Sequence, residues 1–277
     1  MKLSFSTNAF VKYSVAEAVE KIANSGFKGV ELLADVPHLY ADSVSVSDLG
    51  QLKAILDRTN LRVANINANT AVGYYGREFW EPLFEPSLAN PDPEARRWRI
   101  NYTKRCIDMA FFLSASNVSI TSGRMIPGTT PEKSLSLLQE SIVELAGYAS
   151  VNHVNLGIEY EPGLLIERYE ELKSFLEVMN CPNLGANLDL GHSHVLGEDP
   201  EEVIFGLSSR IFHIHLEDIR SLKHYHLIPG LGDMDFVSIF NLLRSNSYGG
   251  WITVELYTYP DRPEEAARKS FDFLMGI

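Results

Sequence analysis

Apolar positions along the chain alternate between two periods, one typical of strands and one typical of helices. Short β-branched runs predict strands, and the longer amphipathic stretches between them predict helices. The predicted strands are 3–8, 28–33, 61–67, 117–121, 155–160, 184–190, 211–215 and 251–255. The predicted helices are 14–24, 46–58, 94–114, 131–150, 167–179, 200–207, 235–245 and 263–275. Eight strands alternating with eight helices indicate a parallel sheet, and this number favours a closed (β/α)₈ TIM barrel.

An open, doubly wound sheet is the alternative arrangement of the same elements. Such sheets usually carry a glycine-rich phosphate-binding turn after the first strand. Residues 6–9, with the sequence STNA, contain no glycine. No linker interrupts the alternation, so we expect one α/β domain, a single (β/α)₈ barrel, over residues 1–277.

Composition and charge narrow the expected partners. With 45% hydrophobic and 22% charged residues the chain resembles a soluble globular protein. No apolar run approaches the ~20 residues that span a bilayer, so no membrane partner is expected. The net charge of −12 argues against nucleic acid, because surfaces that bind it are basic. Residues 1–10 lack signal-peptide features, and Cys106 and Cys181 match no metal or redox spacing, so we expect a cytoplasmic protein.

Histidines concentrate in one segment of the chain. Six of the eight lie between residues 192 and 226. Imidazole is the commonest neutral metal ligand and the side chain that titrates nearest neutral pH. This segment is therefore where the sequence places the chemistry.

Four successive strands end in side chains that can bind a metal. Active sites of (β/α)₈ barrels lie at the carboxyl ends of the strands, which here carry Glu159, Asp189, His215 and Glu255. Carboxylates in an apolar barrel mouth are costly unless something neutralises them. Three carboxylates and one imidazole predict a site for one divalent cation. An oxygen-rich set favours Mn²⁺, Mg²⁺, Co²⁺ or Fe²⁺, with Zn²⁺ as an alternative.

Other residues near these strand ends are candidates for substrate contact. Glu161 has the strand parity of Glu159 and either contacts a substrate hydroxyl or caps a helix. Arg124 lies near the predicted rim, where it is a candidate to bind a phosphate or carboxylate. The long connection 69–93 carries Trp80, which we expect either in an apolar wall of the site or in a homo-oligomer contact.

Six short motifs are spread along the chain: GVEL (29–32), IEYEPG (158–163), LDLGH (188–192), HIHLED (213–218), HLIPGLGDMDF (226–236) and WITVEL (251–256). In order and spacing they resemble the motifs of one known family, the xylose isomerase-like TIM barrels. That family includes ketose 3-epimerases, sugar-phosphate isomerases and epimerases, and apurinic endonucleases of the endonuclease IV type. The resemblance implies that Glu159, Asp189, His215 and Glu255 are the shared metal ligands and that His192 contacts the substrate.

This resemblance implies a metal-dependent sugar or sugar-phosphate isomerase or epimerase that acts on a small polyhydroxy substrate. Proton transfer next to a carbonyl would pass through an enediolate, with Glu159 and Glu255 as base and acid. One alternative is a metal-dependent dehydratase or lyase acting on a cyclitol or a shikimate-like acid. Another is a barrel that binds metal or sugar without catalysis.

Two departures from the family patterns change these expectations. The endonucleases use further histidines after the third and fourth strands, and this chain has none there, which argues against DNA repair. By the endonuclease pattern, His192, His224 and His226 would hold a second metal; the alternative is that they contact the substrate. The ketose 3-epimerases have an arginine where this chain has Ser221, which weakens the expectation of that particular activity.

Overall fold

The computed structural model describes residues 1–77 and 84–277 and shows a closed barrel. The strands are β1 (Lys2–Ser6), β2 (Gly29–Leu33), β3 (Arg62–Asn67), β4 (Asn117–Thr121), β5 (Asn155–Glu159), β6 (Leu184–Asp189), β7 (Ile211–Leu216), β8 (Asp218–Arg220), β9 (Lys223–Leu227) and β10 (Trp251–Val254). Eight parallel strands form the barrel, in the order β1-β2-β3-β4-β5-β6-β7-β10, and β10 closes the ring by pairing with β1. The other two, β8 and β9, form an antiparallel hairpin after β7. The predicted (β/α)₈ barrel is confirmed.

Helices surround the barrel, and local capping chemistry fixes where they begin. Ser14, for example, forms a capping box, because its backbone N–H donates to Glu17 and its hydroxyl accepts from the Glu17 N–H. None of the described helices is both long and apolar enough to cross a bilayer. The helices are α1 (Val15–Asn24), α2 (Val46–Thr59), α3 (Val72–Tyr75), α4 (Pro93–Phe112), α5 (Pro131–Val151), α6 (Tyr169–Met179), α7 (Leu190–Val195), α8 (Pro200–Leu207), α9 (Phe236–Ser245) and α10 (Pro263–Leu274), with 3₁₀ turns at Thr7–Phe10 and Ser208–Arg210.

The interior of the barrel is polar below the rim. The Asn65 side-chain amide donates to Glu31 at 2.7 Å and to Ser119 at 2.8 Å, and Asn117 donates to Asn65 at 2.8 Å. All four side chains are fully or almost fully buried. Because buried polar groups are stable only when hydrogen-bonded, this network fixes the side chains that lie directly below the carboxyl end of the barrel. The apolar core packs helices against strands.

The segment after β7 differs from the prediction. No element was predicted between strand 211–215 and helix 235–245, whereas the chain forms the β8–β9 hairpin there, in which Asp218 pairs with Leu227 and Arg220 with Lys223. The hairpin was missed because the sequence of β9, KHYHL, is mostly polar and its strands are very short. It carries His224 and His226 back over the barrel mouth.

Asp218 holds the loop that follows this hairpin. Its carboxylate accepts backbone N–H groups of Gly230 at 2.9 Å, Gly232 at 2.7 Å and Met234 at 3.2 Å. Asp218 is 1% exposed, so these bonds are shielded from water. A buried carboxylate that accepts several backbone N–H groups is a fixed structural anchor.

Candidate active site

The four predicted metal ligands converge at the carboxyl end of the barrel. Glu159 ends β5, Asp189 ends β6, His215 lies in β7 and Glu255 directly follows β10. One ligand atom from each lies within 4.8 Å of those of the other three. Their exposed fractions are 4%, 0%, 0% and 7% respectively. The strand-end rule therefore placed these residues correctly relative to one another.

The His215 imidazole lies at the centre of this group. Its Nδ1 is 2.9 Å from Glu159 Oε1, 3.6 Å from Glu255 Oε2 and 4.0 Å from Asp189 Oδ2. Its Nε2 is 2.6 Å from Glu31 Oε2 on the other side of the ring. Burial disfavours the charged ring, but the surrounding Glu31, Glu255 and Glu159 carboxylates raise its pKa well above the usual range.

Two asparagines position Glu255. Its Oε1 accepts from the Asn8 side chain at 2.9 Å and from the Asn67 side chain at 3.3 Å. Burial, and then the nearby Glu159 charge, raise the Glu255 pKa well above its ordinary value despite the opposing effect of His215. Sequence reasoning did not select Asn8 and Asn67, although both follow the same strand-end rule.

Asp189 connects this group of four predicted ligands to a cluster of histidines. As the N-cap of α7 it accepts the His192 backbone N–H at Oδ1, 2.8 Å away. Its buried Oδ2 has no hydrogen-bond partner among the described residues and lies 3.7 Å from His192 Nε2. Although burial opposes it, this proximity to Asp189 and to Glu161 raises the His192 pKa to about 9.

The histidine cluster consists of His192, His224 and His226. One nitrogen from each ring lies within 4.8 Å of the others. His226 Nε2 is 2.8 Å from His224 Nε2, and His226 Nδ1 is 3.0 Å from the Glu255 carbonyl oxygen. Burial lowers the pKa of His224 to about 4 and that of His226 to about 3. Both rings are therefore neutral near pH 7.

Glu217 is a buried carboxyl group that sequence reasoning missed. It is 0% exposed, and no hydrogen-bond donor among the described residues reaches either oxygen in bonding geometry. Burial and the adjacent Asp189 charge raise its pKa well above the ordinary range. A Cβ at Gly191 would lie 1.6 Å from Glu217 Oε1, so only glycine permits this approach. The motif HIHLED contained the signal, since Glu217 has the strand parity of His215.

A cavity of about 250 Å³ opens above these groups. Both polar and apolar residues line it, and no lysine or arginine is among the described ones. The polar lining residues include Glu159, Glu161, His192, His224, His226 and Glu255, and the apolar ones include Val11, Leu33, Val36, Val72, Phe84 and Tyr257.

The remaining predicted contacts lie in different places. Glu161 lines the cavity, and burial raises its pKa to about 7. Arg124 is not among the described lining residues, but its charge acts on Glu161 and opposes that rise in pKa. Trp80 lies outside the described residues.

Comparison with known proteins identifies the family. Residues 19–277 match the family model described as xylose isomerase-like TIM barrel. The chain belongs to this family. The family resemblance expected from the motifs is therefore confirmed over nearly the whole barrel.

Proteins similar to this chain are named for different reactions. The fructoselysine 3-epimerase of Shigella flexneri is 24% identical, with 98% of this chain and 96% of the relative covered. The inosose dehydratase of Clostridium botulinum is 26% identical, with 93% and 88% covered. The structure of a D-tagatose 3-epimerase-like protein superposes with a TM-score of 0.83 at 22% identity, covering 100% of this chain and 96% of the other. This last likeness shows the shared fold.

The donor set at the rim of this family member suits a divalent cation. Glu159, Asp189 and Glu255 bring carboxylate oxygens together in a buried space that no described lysine or arginine lines. Unneutralised carboxylates in such a space are costly, and Asp189 Oδ2 has no hydrogen-bond donor among the described residues. Oxygen ligands with one imidazole fit Mn²⁺, Mg²⁺, Co²⁺ or Fe²⁺.

Proposed function

We propose that this protein is a sugar isomerase or epimerase that moves a proton at a carbon next to a carbonyl group. The observation that carries the proposal is that Glu159 and Glu255 face one cavity from β5 and from the end of β10, with β6 and β7 between them. Two carboxyl groups so placed can reach a bound substrate from different directions. The named activity of the fructoselysine 3-epimerase relative supports this reaction class.

In the proposed reaction Glu159 is the base and Glu255 the acid. Glu159 accepts the C–H proton, and the electron pair left behind forms an enediolate of the substrate. Glu255, in its protonated form, returns a proton to the same carbon to give the isomer. Asn8 and Asn67 hold the Glu255 carboxyl group in place for this transfer. Positioned acid–base groups of this kind contribute roughly 10²–10⁴-fold to rate.

We further propose that Glu159, Asp189, His215 and Glu255 hold one divalent cation, with Mn²⁺, Mg²⁺, Co²⁺ or Fe²⁺ favoured and Zn²⁺ as an alternative. When bound, this ion supplies Lewis-acid stabilisation of negative charge on a substrate oxygen. Glu31 orients His215 by accepting from Nε2, so that Nδ1 faces the three carboxylates. A carboxylate behind a ligating histidine both orients the ring and raises its basicity.

The histidine cluster is proposed to take a second metal or to contact substrate hydroxyls. A carbonyl oxygen can only accept a hydrogen bond. His192 Nδ1 therefore carries the hydrogen that it donates to the Tyr160 carbonyl, and His226 Nδ1 carries the one that it donates to the Glu255 carbonyl. The Nε2 lone pair of neutral His226 then accepts from His224 Nε2 at 2.8 Å, and a metal ion at this cluster would replace that hydrogen bond. Loading with metal should yield either one or two ions per chain, which decides between the two roles.

The proposed substrate is a single uncharged sugar or related polyol. A cavity of about 250 Å³ is at the small end of ligand sites, which span roughly 300–1,000 Å³. A phosphate group would enter a space that several carboxylates line without a described lysine or arginine. Glu161 is placed to contact a hydroxyl. We propose that residues 1–277 act together as one domain in this reaction.

Dehydration of a keto-cyclitol is the second candidate reaction. The inosose dehydratase relative supports it, and so does His192, whose pKa of about 9 keeps the ring charged near pH 7. A charged imidazole facing the cavity can donate a proton to a leaving hydroxyl group.

Product analysis separates these candidates. The Mn²⁺-loaded protein would be incubated with ketoses, aldoses, their phosphates and keto-cyclitols, and the products analysed by chromatography with mass spectrometry. We expect an isomer of unchanged mass from an uncharged ketose, reduced at least about 10²-fold in Glu159→Gln. Loss of one water from a cyclitol would instead support dehydration. Absence of any product, with metal shown to be bound, would contradict both.

A further inference from the structure

The amino-terminal end of the barrel, opposite the candidate active site, carries a larger cavity. Its volume is about 670 Å³, within the range typical of small-molecule sites. Leu3 and Trp251 come from the beginnings of β1 and β10, Phe240 from α9, and Phe271 and Leu274 from α10. Catalysis in (β/α)₈ barrels occurs at the other end, so this cavity suits binding rather than a second active site.

The Trp251 indole ring forms the apolar floor of this cavity. A Cβ at Gly29, the first residue of β2, would lie 2.4 Å from the Trp251 ring, so glycine is needed for the indole to lie across this strand. Lys2 Nζ lies 5.3 Å from the centre of the same ring. An aromatic surface is thus exposed to a ligand beside a positive charge.

Four basic side chains, Lys2, Lys28, Arg62 and Arg244, surround the floor. All four are exposed, and no ion pair between any of them and a carboxylate occurs in the described part of the chain. No aspartate or glutamate is among the described residues that line the cavity, and the residues that carry the terminal amino and carboxylate groups, Met1 and Ile277, line it as well. In a chain with a net charge of −12, four unpaired cations around one apolar cavity form a local positive field.

We propose that this cavity binds an amphipathic organic anion, with an aryl or acyl body on the Trp251 floor and an acidic head group among the four cations. The apolar floor supplies affinity through burial. The four cations favour an acidic head group over a neutral one, so an amphipathic anion should bind more tightly than a purely apolar molecule. The site is independent of the proposed reaction, because its residues lie at the opposite end of the barrel.

Fluorescence titration with 8-anilinonaphthalene-1-sulfonate, an aryl anion, tests the proposal on the full chain. N-Phenyl-1-naphthylamine has a similar aromatic structure without the charge. Sodium sulfate supplies an anion without the aromatic part. Decanoate and naphthyl phosphate, added as competitors, distinguish acyl from aryl ligands. The charge variant is Lys28→Gln/Arg62→Gln/Arg244→Gln. Its matched control, Lys12→Gln/Lys133→Gln/Arg268→Gln, removes three exposed charges elsewhere.

We expect saturable binding of the sulfonate, with affinity for the neutral analogue and affinity of the charge variant each weaker by about tenfold. The control variant should bind like the wild type, and circular dichroism should show all variants folded. Equal affinity for the neutral analogue, an unchanged charge variant, or no saturable binding would overturn the proposal. A lower affinity for the sulfonate at higher protein concentration would also overturn it, because that result would show that this face forms a contact between two copies of the chain. Failure here would leave the product analysis unaffected.

Discussion

The Glu31 carboxylate lies 2.6 Å from Nε2 of His215, on the side of the imidazole that faces away from the rim carboxylates. Both side chains are 0% exposed, and the Asn65 amide holds the same Glu31 oxygen at 2.7 Å. The His215 ring, whose Nδ1 faces the rim carboxylates, is therefore fixed on its other side by a hydrogen-bond network inside the barrel.

Replacing Glu31 by Gln should weaken metal binding. The neutral amide gives His215 a weaker partner, and loss of such a partner typically costs about 10–100-fold in metal affinity. Calorimetric titration of the metal-free protein with Mn²⁺ measures this change. Glu20→Gln, an exposed carboxylate that pairs with Arg58, is the control and should bind like the wild type. Equal affinity in Glu31→Gln and the wild type would contradict the proposed role.

Replacing Asp218 by Asn should destabilise the β8–β9 hairpin and its following loop. The variant weakens three backbone hydrogen bonds to a buried carboxylate, and we expect a loss of about 2 kcal/mol or more in unfolding free energy. Hydrogen exchange should show faster exchange at the Gly230 and Gly232 amides. The control is Asp233→Asn, since Asp233 is exposed and accepts the Ser221 N–H. Equal effects of the two variants would show that Asp218 is not the anchor.

Replacing Gly191 by Ala should displace Glu217. The added methyl group would lie 1.6 Å from Glu217 Oε1 in a closely packed region, so we expect a loss of about 1–3 kcal/mol in unfolding free energy. The double variant Gly191→Ala/Glu217→Ala should recover part of it. Gly147→Ala, in α5 with open space around it, should be neutral or stabilising by up to about 1 kcal/mol. Lack of recovery in the double variant would count against the contact.

Glu161 should make the stability of the metal-free protein depend on pH. Its folded-state pKa is raised to about 7 by burial. Because the folded state binds this proton more tightly than the unfolded state, the protein is most stable below the unfolded-state pKa of Glu161. That contribution to the unfolding free energy is lost as pH rises through about 7. Urea unfolding between pH 5 and pH 8 should therefore show the wild type losing stability relative to Glu161→Gln as pH rises. A constant difference across this range would show that Glu161 titrates normally.

The barrel and the grouping of four candidate ligands at its rim could be predicted because both follow from regular patterns. Alternation of strands and helices determined the topology, and the strand-end rule selected Glu159, Asp189, His215 and Glu255. The groups that support this set were harder to find. Asn8 and Asn67 are ordinary strand-end amides in sequence, and only their distance from Glu255 shows what they do.

The features that the sequence did not predict depend on contacts between residues far apart in the chain. Glu31, in β2, contacts His215, in β7, and no local sequence pattern connects these two strands. The β8–β9 hairpin has polar, short strands without the alternation that marks buried ones. The apolar cavity at the other end of the barrel combines residues from both termini of the chain, which no local pattern connects.

Deuterium exchange tests the central claim most directly. Proton NMR in D₂O would follow the C–H signals of ketoses with the Mn²⁺-loaded wild type, the metal-free protein, Glu159→Gln and Glu255→Gln. The account predicts deuterium next to the carbonyl with the loaded wild type, and a loss of at least about 10²-fold in both variants. Exchange that continues at the wild-type rate in both variants, or a metal-bound wild type that exchanges no C–H proton, would contradict it.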